Sequence, residues 1–206
     1  MTRIRPYGDQ GYLVSADSSD RAQTIAASLR EAALFIDVVP GFDSVLCIFD
    51  PVHTQASAAK SLIERTLQTS VDDRPAPPPP ITLPVRYGGA FGPDLKPLAA
   101  ASGLSCDALI ERHSQLAYKV ALLGFTPGFT YLEGPPPQWR ANRLREPRQR
   151  VDAGSVGLVD QYCGVYALGG PGGWPIIGQV ATALFDPARS DPFLLSPGQT
   201  VRFAPA

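Results

Sequence analysis

The chain has 206 residues, 44% of them hydrophobic, and a formal net charge of −1, which describes a globular protein with material for one large core or two small ones. The balance of 18 basic against 19 acidic side chains argues against a nucleic-acid or acidic-polymer partner. No stretch approaches the roughly 18 consecutive apolar residues that cross a bilayer, and Arg3 and Arg5 are not followed by an apolar signal region, so no membrane contact and a cytoplasmic location are expected.

Ile4 to Val14 reads as strand, turn, strand around Tyr7-Gly8-Asp9-Gln10-Gly11. Ser19 or Asp20 can cap a helix whose apolar positions Ala22, Ile25, Ala26, Leu29 and Ala33 recur at helical spacing. Phe35 to Val39 and Ser44 to Phe49 are strand-like runs joined by Pro40-Gly41-Phe42-Asp43. A second amphipathic helix is expected from about Pro51 to Leu67, with Ala56, Ala59, Ile63 and Leu67 on one stripe. This order suits a small α+β sandwich of the split βαβ type over residues 1–74.

The run Pro75-Ala76-Pro77-Pro78-Pro79-Pro80 has fixed φ angles and no internal hydrogen bonds, so residues 75–80 are expected to form an extended spacer between two domains. Beyond it Ile81 to Tyr87 is strand-like. Asp94 can cap a short helix closed by Gly103, and Ser105 another reaching about His113, with Asp107 near its N-terminus. From Leu116 the pattern is mostly β: Leu116 to Leu123, Ser155 to Val159, Cys163 to Leu168, Ile176 to Val180 and Thr200 to Phe203. Many short strands broken by Gly and Pro point to a barrel or sandwich over residues 81–206, and the fold class as a whole is α+β.

Cys47, Cys106 and Cys163 are odd in number and widely spaced, and read as reduced thiols; with only His53 and His113 as histidines, no metal site is expected. The chemistry concentrates between Gly124 and Trp174. Of 15 arginines, Arg140, Arg143, Arg145, Arg148 and Arg150 fall within eleven residues whose single acid is Glu146. Guanidinium groups bind carboxylate and phosphate through paired hydrogen bonds, so this loop suits a small anionic ligand, Arg143 and Arg148 above all; a solvated basic loop is the plain alternative.

Gly169-Gly170-Pro171-Gly172-Gly173 lacks the lysine and following helix of a phosphate loop and reads as a turn that lets Trp174 fold beneath the backbone. Ala153-Gly154-Ser155-Val156-Gly157 resembles a nucleophile elbow, but Ser155 leads into a strand pattern rather than a helix, which argues against a serine-hydrolase triad. His113 is either a base or a satisfied residue at a helix end. Phe125, Phe129 and Tyr131 alternate around Pro127 and Gly128, and suit a barrel wall and a ligand-facing role equally.

Tyr118-x-Val120 followed by Gly124-Phe125-x-Pro127-Gly128-Phe129-x-Tyr131-Leu132, then Pro147-Arg148-x-x-Val151-x-Ala153-Gly154-Ser155-Val156, then Pro171-Gly172-Gly173-Trp174-x-x-Ile177-Gly178, strongly resemble the family of the 5-oxoprolinase B subunit, which includes the sporulation kinase inhibitor KipI and was long labelled allophanate hydrolase subunit 1. Tyr7-Gly8-Asp9, Leu83-Pro84-Val85-x-Tyr87-Gly88-Gly89 and Pro197-Gly198 extend the likeness over nearly the whole chain.

The resemblance implies a small α+β domain followed by a cyclophilin-like barrel of the carboxyltransferase C and D type, which paired with a second subunit resembles the C-terminal region of urea carboxylase. It implies a C-type or KipA-type partner protein, and an A-type lactamase for full turnover. The activity it implies is opening of 5-oxo-L-proline to L-glutamate with ATP and magnesium used at the level of the complex, the chain being inactive alone. In that setting Arg143 and Arg148 would neutralise phosphate or the substrate carboxylate, His113 would assist catalysis, and Tyr118, Phe125, Pro127, Gly128, Phe129, Tyr131, Gly154, Ser155, Tyr166, Gly172, Gly173 and Trp174 would line the substrate site. Inhibition of a histidine kinase, or a related urea or allophanate-type amidohydrolase with another substrate, are the alternatives; a prolyl isomerase rests on barrel analogy alone.

The sequence also departs from the family pattern. Asp152 stands where proline usually precedes Ala-Gly-Ser, Tyr162-Cys163 where Gln-Thr is usual, and Gln179-Val180-Ala181 where a basic residue with Thr-Pro is usual. These positions belong to strands that the resemblance places around the site.

Overall fold

The computed structural model describes residues 3–69, 77–136, 139 and 141–206. The chain's internal contacts divide it into two compact units, residues 1–76 and 77–206.

In the first unit β1 (Ile4–Pro6), β2 (Gly11–Ser15), β3 (Asp37–Pro40) and β4 (Ser44–Ile48) form one sheet in the order β1-β2-β4-β3. Every pairing is antiparallel, including β2 against β4. Strands β2 and β3, joined through α1, are both antiparallel to β4 and so run parallel to each other with β4 between them, which is the expected split βαβ arrangement. Helices α1 (Ser19–Glu31) and α2 (Ala56–Thr69) cover the sheet, bringing Ala22, Ile25, Leu29, Ala59 and Ile63 onto Val14, Val38, Val45 and Cys47.

Ser18, one residue earlier than expected, caps α1 by accepting from the Arg21 N–H at 3.1 Å. The second helix starts five residues later than expected. Asp50 takes the Val52 N–H on its carboxylate and the Thr54 N–H on its carbonyl, both at 2.8 Å, which closes a turn where the helix was expected to begin.

Of the proline run, residues 75 and 76 lie outside the described residues. Pro77 to Pro80 are irregular, and the Pro79 carbonyl accepts from Gln199 Nε2 at 2.9 Å. The later prolines are therefore tied to the second unit.

That unit is built on β5 (Ile81–Tyr87), α3 (Leu95–Ala101), α4 (Cys106–Gln115), β6 (Tyr118–Leu123), β7 (Thr130–Glu133), β8 (Arg148–Val151), β9 (Ser155–Val159), β10 (Tyr162–Val165), β11 (Gly170–Gly172), β12 (Ile176–Val180) and β13 (Thr200–Pro205). Seven strands close into a barrel in the order β10-β7-β6-β13-β5-β12-β9. Only β13 and β5 run parallel, and closure leaves the barrel no open edge. Strands β8 and β11 form a separate two-stranded ribbon. These two and β7 went unread in the sequence because they are short and rich in arginine, glycine or polar residues.

The barrel is filled by Leu83, Val85, Val120, Leu132, Val156, Leu158, Val165 and Ile177, with α3 and α4 adding Leu98 and Leu109. His113, in the last turn of α4, is fully enclosed by this core. Its ring stacks on Phe203 at 4.7 Å, its Nδ1 lies 2.7 Å from the Tyr87 hydroxyl, and its Nε2 lies 3.8 Å from Cys163 Sγ.

Burial pulls the His113 pKa down to about 3, against about 6.5 for an unfolded chain. The stability held in the neutral ring is complete above pH 6.5 and is lost as pH falls from there toward 3, at a rate approaching about 1.4 kcal/mol per pH unit. Denaturant unfolding between pH 7 and 4 is expected to show this slope in the wild type and a flatter one in His113→Gln. Equal slopes would remove His113 as the source.

Candidate functional site

Alternation along β7, β9 and β10 sends Leu132, Val156, Leu158, Cys163 and Val165 into the barrel and the intervening residues outward. On the outer face Phe129, Val151, Val159, Tyr166, Trp174 and Ile176 form a second, smaller core, with Tyr131 and Tyr162 packed beside it.

The floor of that cluster is glycine. Gly157 and Gly164 face each other across β9 and β10, and Gly164 also pairs with Tyr131. A Cβ on Gly164 would lie 2.8 Å from Trp174 Cζ3 and 2.9 Å from Phe129 Cζ; one on Gly157 would lie 3.0 Å from Trp174 Cβ. The indole occupies the space that two missing side chains leave. Phe129 meets Tyr131, Tyr166, Trp174 and Phe125 edge-on, with ring centroids 4.7, 4.9, 5.7 and 5.6 Å away.

The glycine run is more than a turn. Gly170–Gly172 is β11 and pairs with β8, with Gly172 opposite Arg148. A Cβ on Gly172 would fall on the Tyr166 ring, so close approach of backbone to ring requires glycine there. The Gly173 carbonyl accepts the Leu144 N–H at 2.8 Å. This anchors the arginine loop and sets Arg143 Cζ 5.9 Å from the centre of the Trp174 ring.

Arg148 sits beside the same cluster. Its Nη2 donates to Asp94 Oδ1 at 2.8 Å, while its Nη1 is buried and has no hydrogen-bond partner. A buried, unpaired donor on a cation is costly, and a bound anion is the natural partner for it. Burial raises the Tyr166 pKa; the Trp174 backbone hydrogen bond and the charges of Arg143 and Arg148 oppose the rise. Burial likewise raises Tyr131, with Arg143 opposing. Both phenols stay protonated near neutrality and so carry a hydroxyl donor.

The sequence-derived site therefore divides. Arg143, Arg148, Phe129, Tyr131, Tyr166, Gly172, Gly173 and Trp174 come together. Phe125 joins at the edge, at the exposed tip of the 124–128 loop with φ +71° and 66% of its surface free. Pro127 is exposed on that loop, and Gly128, at φ +75°, packs against Ala167 and Phe185. Gly154, at φ +83°, donates its N–H to the Tyr166 carbonyl at 2.7 Å and accepts from Val180 at 2.9 Å. Ser155 opens β9, and strand follows it as the sequence suggested.

His113 and Tyr118 do not join. Tyr118 is buried in the barrel core, where its hydroxyl donates to the His113 carbonyl at 3.2 Å. The base role for His113 is corrected accordingly: a ring without exposed surface, with both nitrogens facing core side chains, is a packing residue. Arg145 is exposed, Arg150 pairs with Asp152 at 3.4 Å on the surface, and Arg140 lies outside the described residues.

Sequence reading missed Asp94, Gly157 and Gly164 as site residues. Glycine inside two neighbouring strand patterns was the available signal for the last two. Asp94 gave none, because it looks like an ordinary helix cap.

The carboxyltransferase domain, subdomain C and D, matches residues 2–195. The chain belongs to that family. Curated relatives are the Escherichia coli O157:H7 protein named as the B subunit of 5-oxoprolinase, 43% identical over 93% of this chain and 88% of that one, and the Bacillus subtilis strain 168 protein of the same name, 35% identical over 82% and 75%.

Among solved structures TTHA0988 superposes with a TM-score of 0.82 at 32% identity over 99% of this chain and 40% of its own. The Pyrococcus horikoshii protein PH0987 gives 0.60 at 36% identity over 99% and 97%. The Kluyveromyces lactis urea amidolyase shares the fold, with a TM-score of 0.80 at 18% identity over 100% of this chain and 15% of that one. No described helix of this carboxyltransferase-domain chain is long and apolar enough to cross a membrane.

If the glycine floor seats the indole, Gly164→Ala must move two rings at once. It is expected to lower stability by about 1–3 kcal/mol, as overpacking does, and to shift the tryptophan emission. An unchanged melting temperature and spectrum would show that the rings move aside freely.

Proposed function

We propose that this chain is the B subunit of a 5-oxoprolinase, which opens the lactam of 5-oxo-L-proline to L-glutamate with hydrolysis of ATP. It would work with a C-type or KipA-type partner and an A-type lactamase, and be inactive alone in the cytoplasm. The observation that carries the reading is 43% identity to a curated 5-oxoprolinase B subunit over 93% of the chain. The unpaired Nη1 of Arg148 beside Arg143 and two protonated tyrosines supports it as a place for the substrate's single carboxylate.

A lactam carbonyl is a weak electrophile, and ATP with magnesium would supply the phosphoryl group that turns its oxygen into a leaving group. The donors around Trp174 are guanidinium and phenol groups, which fit an anion's oxygens; nucleotide and magnesium are assigned to the assembled complex. Within this chain, Arg148 and Arg143 would hold the carboxylate and fix the ring's orientation. Trp174, Phe129 and Tyr166 would exclude water from one side of the bound carboxylate, strengthening both ionic hydrogen bonds.

A reconstituted mixture of the A-type, B-type and C-type proteins is expected to release ADP in response to 5-oxo-L-proline only when this chain is present. Arg148→Ala should raise KM for 5-oxoproline about 10- to 100-fold, the range of a lost hydrogen bond to a charged group. No turnover from partners shown to assemble with the chain would favour a different amide substrate or a regulatory role on a histidine kinase.

A further inference from the structure

We infer that Asp94 is the positioning residue of the anion site, holding the Arg148 guanidinium so that Nη1 faces the ligand. This role rests on the anion site proposed for Arg148 and adds a residue to it.

An aspartate at the N-cap of a helix normally turns its carboxylate back onto the backbone of its first turn. Asp94 occupies that position on α3 and makes no such bond. Both of its oxygens are directed elsewhere. Oδ1 accepts from Arg148 Nη2 at 2.8 Å and Oδ2 accepts from the Ile176 N–H at 2.6 Å, while the Asp94 N–H donates to the Ile176 carbonyl at 2.9 Å.

Asp94 is thus fixed to the first residue of β12 at two points. Ile176 is itself part of the aromatic cluster and follows Trp174 by two residues. A carboxylate held this firmly makes a rigid anchor for a planar guanidinium. Binding one Nη sets the plane, and the other Nη is aimed by the geometry of the fork.

The pair is well shielded, with the side chains 15% and 31% exposed for Asp94 and Arg148. The bond to Asp94 offsets the charge of Arg148 but uses only one side of the fork. What remains is Nη1, buried and unpaired. A long side chain free to swing would have turned that nitrogen to water, so the anchor is what keeps the donor aimed inward. Lysine at 148 could pair with Asp94 but would present no second, oriented donor.

The first test needs no substrate. In the nitrogen-15-labelled full chain, the Arg148 Nη signals, assigned with Arg148→Lys, are expected to be resolved by slow rotation, whereas those of the exposed Arg150 average. Asp94→Asn should collapse the Arg148 pair. Averaged Arg148 signals in the wild type, or resolved signals in Asp94→Asn, would overturn the inference, and the wild-type comparison stands even if the variant folds poorly.

The second test uses the reconstituted enzyme. Asp94→Asn is expected to raise KM for 5-oxoproline about tenfold with kcat within about threefold, and to add nothing in an Arg148→Ala background. Additive losses, or a fall in kcat alone, would mean that Asp94 merely braces β12. If Arg148→Ala leaves KM unchanged while the resonance result holds, the substrate assignment fails, and with it the purpose inferred for Asp94.

Discussion

Two facing glycines on the barrel wall decide what the outer face of this protein can be. With side chains at Gly157 and Gly164 the Trp174 indole would have no seat, and Trp174 carries the chain segment that delivers everything else. Immediately before it, Gly173 anchors the arginine loop through Leu144 and Gly172 pairs with Arg148. Shortly after it, Ile176 begins β12 and binds Asp94. The position of both arginines thus traces back to side chains that are missing.

This arrangement places charge at the boundary of an apolar cluster, where an ionic hydrogen bond is stronger than in open water. Arg143 lies over the indole and is exposed; Arg148 is partly enclosed and anchored. The exposed arginine suits attraction and the anchored one suits orientation. The two tyrosines beside them keep their protons because burial outweighs the nearby positive charge.

The sequence made the strands with β-branched periodicity legible: β5, β9 and β12 fall on the residues expected of them. It also located the arginine, glycine and aromatic motifs that converge. What it could not convey was face. Periodicity assigns alternate residues to opposite sides of a strand without saying that both sides are covered, so the outer cluster around Phe129 was indistinguishable from barrel core. Asp94 was hidden for a related reason. A cap residue is recognised by the helical residues just after it, whereas this one is used by Arg148, 54 residues away. His113 shows the converse, since a polar residue in a polar-looking helix end proved to be enclosed.

The same two-faced logic sorts the departures from the family pattern. Cys163 points inward, next to His113, and burial pushes its thiol pKa far up; it is a packing change at a buried position and has no direct route to a ligand. Asp152 is exposed and pairs with Arg150, outside the aromatic cluster. Tyr162 and Gln179 differ in kind. Tyr162 packs against the outer cluster, and Gln179 Nε2 donates to the Ala153 carbonyl at 2.8 Å, next to Gly154, whose N–H holds the Tyr166 backbone. A basic residue at 179 would bring a further charge to that turn, whereas glutamine ties it down neutrally. Of the departures, Tyr162 and Gln179 are therefore the ones that lie beside the residues proposed to hold an anion.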